Sequence, residues 1–294
     1  MMLRVNTMLS KMLSSHFGLV CAIFGIALFS VRLPCAQESE GSSGEYYGAD
    51  SDFFKGKDLY LRSQTTPARS HLEKYLKDNP QGRFMLEARF LLAVTETDIE
   101  RAKDGFWQLY RDRPEDVLGR LAYFQYGCLL LLSGQYADTS EVFEHLTLAG
   151  VGSDDGLVQR RDFLPLNVMD LADFGVDGLY AASLVLAESL PAAENAVQQF
   201  ASKTSSPTAS ERWLLLSGVL ADKQGRFSEC QNLLSRLVAT SPNSSACAAA
   251  CYYALAVMRS GTGAQDGRIF ADHLAKAFSR SPEYRIFQRS RQAE

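Results

Sequence analysis

Histidine is scarce in this chain of 294 residues. The four present, His16, His71, His145 and His273, are far apart, and none belongs to an HExxH or a Cys/His spacing that would hold zinc. There is no CxxC. Cys21 and Cys35 lie near the start, and the remaining four, Cys128, Cys230, Cys247 and Cys251, are too sparse for a disulfide scaffold. Cys247 and Cys251, four apart in a helical run, are expected as small core residues sharing one helix face. Excess positive charge is also missing. The 30 basic side chains stand against 34 acidic ones, a net charge of −4, which argues against the concentrated basic surface that nucleic acid requires. No stretch alternates apolar and polar residues for long, so strands are not expected.

Acidic residues are absent from the first 36 positions, whose charges are Arg4, Lys11 and Arg32. Basic residues there precede an apolar run from Phe17 to Val31, then Pro34-Cys35-Ala36 and polar Gln37, the layout of a cleavable export signal spanning residues 1–36. Two other readings stay open. The run, shorter than the ~20 residues of a usual spanning helix, is retained as an anchor; or Cys35 is lipidated, although Pro34 departs from the small residue such signals carry. Membrane contact is expected only in these two cases. Residues 37–56, polar, acidic and glycine-rich, read as a flexible linker.

Beyond the linker, apolar residues recur at spacings of three and four, broken every 12 to 18 positions by Gly, Pro, Asn or Ser. The series of short helices repeats itself. Ala68, Leu72 and Pro80 reappear 34 residues on as Ala102, Phe106 and Pro114. Gly127, Gly134, Tyr136, Thr139, Phe143 and Leu146 match Gly218, Gly225, Phe227, Cys230, Leu234 and Leu237, and Leu274, Ala277 and Pro282 close a last copy. Gly127 and Gly218 are expected where paired helices approach closely, Gly134 and Gly225 where a helix ends in a left-handed residue, and the prolines where helices stop or start.

These residues resemble the tetratricopeptide repeat family, whose 34-residue unit has small residues at its eighth and twentieth places and proline near its thirty-second. The resemblance spans about Asp50 to Tyr284 and is closest over 211–244; the junction "YLKDNPQGRFMLEARFLLA" is similar to those of bacterial periplasmic envelope proteins. It implies an all-α, right-handed solenoid of about five or six helix hairpins over 57–294, with an irregular insertion at 150–177. Within that insertion the hairpin spacing is lost, and the following hairpin keeps Pro191 as a helix start and Pro207 as a stop. The family's first helices line a concave groove. Carried over by motif position, that groove comprises Phe84, Glu87 and Leu91, then Leu121, Phe124 and Cys128, then Arg212, Leu215 and Val219.

No cluster of nucleophile, base and ligand residues emerges. "GTGAQDG" from Gly261 to Gly267 joins two helices rather than following a strand, so it reads as a turn and not a phosphate loop. "SDD" at 153–155 lacks calcium-ligand spacing, Asn243 matches a glycosylation acceptor, and Arg285, Arg289 and Arg291 form a basic tip. The expected protein is an exported, periplasmic interaction scaffold with no catalysis, cofactor or metal, binding an envelope protein or peptide in the groove. The alternative is a ligand-binding accessory subunit of a transport system. An enzyme is expected only if Asp154, Asp162 and Asp170 converge on one cavity.

Overall fold

The computed structural model describes residues 48–150, 175–203, 207–259 and 267–292. Among them are thirteen helices and no strand. In chain order they are α1 (Ser51–Leu61), α2 (Thr65–Asp78), α3 (Met85–Val94), α4 (Ile99–Asp112), α5 (Val117–Leu132), α6 (Tyr136–Leu148) and α7 (Gly175–Leu186). There follow α8 (Leu190–Lys203), α9 (Pro207–Lys223), α10 (Phe227–Thr240), α11 (Ser245–Arg259), α12 (Arg268–Ala277) and α13 (Pro282–Gln292). The all-α expectation holds. No helix among the described residues is long and apolar enough to cross a membrane. The leader, most of the linker, residues 153–155, Asp162, Asp170 and residues 261–266 lie outside the described residues.

Three expectations need correction. Helix α1 begins at Ser51, inside the segment expected as linker, and buries Phe53 and Gly56. These stand three apart on one helix face, a pairing that the surrounding acidic and glycine-rich composition hides. The insertion ends before Gly175, where α7 starts. Pro207 is the first residue of α9 rather than a stop after α8.

The chain divides into two compact units, which among the described residues are 48–130 and 131–150 with 175–292. In the first, α1 packs on α2, α2 on α3 and α3 on α4, and α1 also touches α3. In the second, each helix from α6 to α11 packs on its successor, while α9 also meets α7 and α11, and α11 meets α13.

One local frame recurs through both units. It has a small residue in the first helix, a left-handed residue seven positions on, and buried residues at twelve and sixteen. Gly56, Ser63, Ala68 and Leu72 fill it in α1–α2; Ala181, Glu188, Ala193 and Val197 in α7–α8; Gly218, Gly225, Cys230 and Leu234 in α9–α10. A Cβ on Gly56 would stand 2.8 Å from Leu72 Cγ and 3.2 Å from the Ala68 carbonyl oxygen, and one on Gly218 would stand 2.8 Å from Leu234 Cδ2. Glycine at these positions lets the paired helices close on each other. Each first helix then ends in a six-to-one hydrogen bond: Gln64 N–H to Leu59 O (2.8 Å), Ser189 N–H to Leu184 O (3.0 Å) and Arg226 N–H to Ala221 O (2.7 Å). The left-handed expectation holds at Gly134 (φ 78°) and Gly225 (φ 74°).

Helices α2 and α4 start 34 residues apart and end 34 residues apart, so Pro80 and Pro114 mark equivalent stops. Asn79 (φ −133°, ψ 66°) and Arg113 (φ −145°, ψ 63°) leave the helical region in the same way, as does Ser241 before Pro242 (φ −138°, ψ 60°). Steric clash with the proline ring disfavours helical backbone at the residue before it. The α3–α4 pair departs from the frame at its front. Phe90 stands where the first pair has Gly56, its ring edge-on to Phe106 at 5.3 Å. Close approach there falls to Gly105, whose Cβ would lie 3.1 Å from Ala93 Cβ. The Asp98 carboxylate accepts the N–H groups of Glu100 (2.9 Å) and Arg101 (3.1 Å), capping α4.

Ser63 (φ 61°) and Glu188 (φ 58°) hold a conformation that costs a side-chain-bearing residue ~1–2 kcal/mol. Glycine removes that cost but adds unfolded-chain entropy, so Ser63→Gly is expected to stabilise the protein by ~0.5–1 kcal/mol net. Urea unfolding measures it; an unchanged or lower midpoint would contradict the strain assignment.

Candidate functional site

Most of the expected groove is core. Leu91, Cys128 and Val219 have no exposed surface, Leu121 and Leu215 keep 1%, and Phe124 keeps 3%. The reason is packing on several sides. Helix α9 lies against α7, α8, α10 and α11, so Leu214, Leu215 and Leu216 are all buried although they point in three directions. Helix α5 is similar, with Leu121 to Gln125 all buried. Of the expected set, Phe84, Glu87 and Arg212 keep half-exposed positions. Phe84 is itself engaged: its ring stacks on Phe53 at 4.4 Å and the Arg83 guanidinium covers it at 4.2 Å. Leu91, Leu121, Phe124, Leu215 and Val219 are therefore reassigned from groove to packing.

The surface aromatics lie elsewhere in the first unit. Trp107 and Tyr110 stand three apart on α4, and Tyr123 and Tyr126 stand three apart on α5, so each pair shares a helix face. Tyr110 and Tyr123 stack at 3.9 Å with planes 10° apart, and Tyr126 is nearly parallel to Tyr123 at 6.3 Å. Trp107 closes the array, tilted 38° to Tyr126 at 5.5 Å and 46° to Tyr110 at 5.8 Å. Tyr123 is buried beneath, Tyr110 and Tyr126 are half-buried, and Trp107 is 40% exposed. Burial first, and then the nearby Glu115 carboxylate, raise the Tyr110 phenol above its ordinary range, so its hydroxyl stays protonated at neutral pH. The readable signal was two aromatic pairs, each three apart, on successive helices; the groove template skips those positions.

Other titratable groups serve packing and pairing. The Asp52 carboxylate receives Lys74 Nζ (2.5 Å) and bonds His71 Nδ1 (2.8 Å), and these two partners, Lys74 foremost, hold its carboxyl below the usual range. Lys223 bridges to Glu188 at 2.5 Å, tying α9 to the turn before α8. Cys128, Cys230, Cys247 and Cys251 are free thiols and all are buried, in line with core roles. Burial pushes Cys128 well up and Cys230 to about 12. Cys251 is driven up first by its hydrogen bond with Cys247 and then by burial. None of these sulfurs is open to a substrate. Asn243 is exposed just beyond α10, and Arg285 and Arg289 are exposed on α13. Among the described residues no group of three or more His, Cys, Asp or Glu side chains is placed to hold a metal ion.

No protein-family model matches the chain, and no curated protein matches it in sequence.

Proposed function

We propose that the protein is a non-catalytic interaction scaffold of the bacterial cell envelope, exported to the periplasm, that binds a protein or peptide partner. In this reading the helices form a right-handed solenoid of five or six hairpins of tetratricopeptide type. The recurring frame of small, left-handed and buried residues supports that architecture, because it builds one hairpin after another from local contacts. The observation that carries the binding role is the aromatic array capped by Trp107 on α4 and α5. Trp and Tyr lose few rotatable bonds on binding and offer both apolar area and a polar tip, which is why they dominate binding hot spots. Rings already packed on one another also need little reorganisation to receive a partner.

The test is capture of partners from a bacterial envelope extract by the parent and by Trp107→Ala, with circular dichroism as the folding control. Truncating a hot-spot residue costs ~2 kcal/mol or more, so the variant should lose its partner by roughly thirtyfold in affinity while its helical signal stays intact. A well-folded Trp107→Ala protein that keeps every partner at parental affinity would remove the array from the binding surface.

A further inference from the structure

The two flanks of α4 carry different chemistry. Trp107 and Tyr110 face α5, whereas Arg101 and Gly105 line a cleft of about 210 Å³ with Arg69 of α2 and Arg89 and Glu96 from α3 and the turn after it. The cleft exists because its floor is made of small residues: Ala93 and Gly105 meet there, with no side chain on Gly105 to fill the space.

Three guanidinium groups and one carboxylate line this cleft, and the carboxylate is already satisfied. Glu96 Oε1 accepts the N–H groups of Thr97 (2.8 Å) and Asp98 (3.3 Å), and Oε2 accepts Arg69 Nη2 (3.1 Å). Those backbone bonds, more than the arginines, keep its carboxyl below the usual range. Arg69 Nη1 also donates to Leu92 O (3.2 Å), so its fork is held in place, and Arg89 is steadied by Asp112 at 3.0 Å. Arg101 is exposed and makes no direct ion pair among the described residues. A guanidinium has five N–H donors, and only a minority are used by Arg69 and Arg89. Glu73 also stands 3.6 Å from Arg69 Nη2, so Glu73, Glu96 and Asp112 offset the charge of Arg69 and Arg89, and what the cleft keeps for a ligand is the exposed Arg101 guanidinium together with the unused N–H donors of Arg69 and Arg89.

We propose that this cleft binds a compact dianion, a small molecule presenting phosphate or paired carboxylate oxygens to Arg69, Arg89 and Arg101. Forked guanidinium donors match either oxyanion by paired hydrogen bonds, which a lysine cluster would not do. The volume lies below the ~300 Å³ at which drug-sized pockets begin, so the ligand is a few heavy atoms beyond the anionic groups themselves. The inference is independent of the peptide-binding reading, which rests on the opposite flank of α4.

The experiment is titration calorimetry on the full chain with sodium phosphate and with sodium succinate, ionic strength being held constant by sodium chloride. At least one probe should bind saturably. Arg101→Gln, an exposed change, should weaken that binding at least tenfold, as should Arg89→Gln, while Arg285→Gln on α13 controls for loss of charge elsewhere and should not. Binding of phosphate alone identifies a phosphoryl ligand, succinate alone a dicarboxylate, and both a site that accepts either oxyanion. No saturable heat with either probe, or parental affinity in Arg101→Gln, overturns the proposal.

Discussion

Gly56→Leu should lower the melting temperature of the protein by roughly 4–24 °C, on the basis of ~1–3 kcal/mol for overpacking a well-filled contact and ~4–8 °C per kcal/mol for a unit of this size. The Cβ alone would come within 2.8 Å of Leu72 Cγ, and Leu72 is wholly buried, so its side chain has no solvent to retreat into. The Ala68 carbonyl oxygen, at 3.2 Å, belongs to the α2 backbone and yields only if the helix moves. A side chain at this position gains up to ~1 kcal/mol in helix propensity over glycine, which offsets part of the loss but not its sign. Gly56→Ala separates the two effects, since it has the full propensity gain and the Cβ contacts alone, without the rest of the leucine side chain. Thermal unfolding followed at 222 nm decides the matter. A Gly56→Leu protein that melts with the parent would mean that α1 and α2 do not approach as closely as described.

At the matching place 34 residues on, the intolerance is reversed. Phe90→Ala should cost ~3–5 kcal/mol, the range for emptying a buried aromatic site. Phe90 has no exposed surface and its ring meets Phe106 edge-on, so truncation leaves a void that Phe106 alone is poorly placed to fill. Urea unfolding should show a lower midpoint with an unchanged slope, the signature of lost stability without altered compactness. A loss below ~1 kcal/mol would place Phe90 outside the load of the first unit's core. The two substitutions together test whether one repeat frame is packed in two ways, with space excluded by a glycine in one pair and filled by a ring in the next.

Both positions bear on what could be read from the amino acids alone. Gly134, Gly218 and Gly225 were legible because glycine announces a backbone need directly: a left-handed turn or a close approach has few other solutions. Gly56 serves the same purpose as Gly218, yet its neighbours are acidic and glycine-rich, so composition pointed to a linker while spacing pointed to a helix. Ser63 and Glu188 were silent for the opposite reason: they take the left-handed place without the residue type that signals it. The alternating helix pattern and the 34-residue register of α2 and α4 are local properties and could be inferred. The groove was not, because exposure of Leu215 or Val219 depends on how many neighbours surround α9, and a repeat template records position within a hairpin rather than the packing around it. The aromatic array and the arginine-lined cleft escaped for a related reason: each joins residues from more than one helix.

The repeat frame also bears on how quickly the chain finds its structure. Gly56 meets Leu72, and Gly218 meets Leu234, across sixteen residues of chain, so the loops that must close before a hairpin is rewarded are short and cost little entropy. Within each unit the principal helix packing involves the next helix or the one after it. Such low sequence separation is characteristic of helical proteins that fold in microseconds to milliseconds, whereas sheets that pair distant segments take far longer. Each hairpin can nucleate on contacts between its own two helices, with no single distant contact as a gate, so one hairpin can become compact before the next has formed.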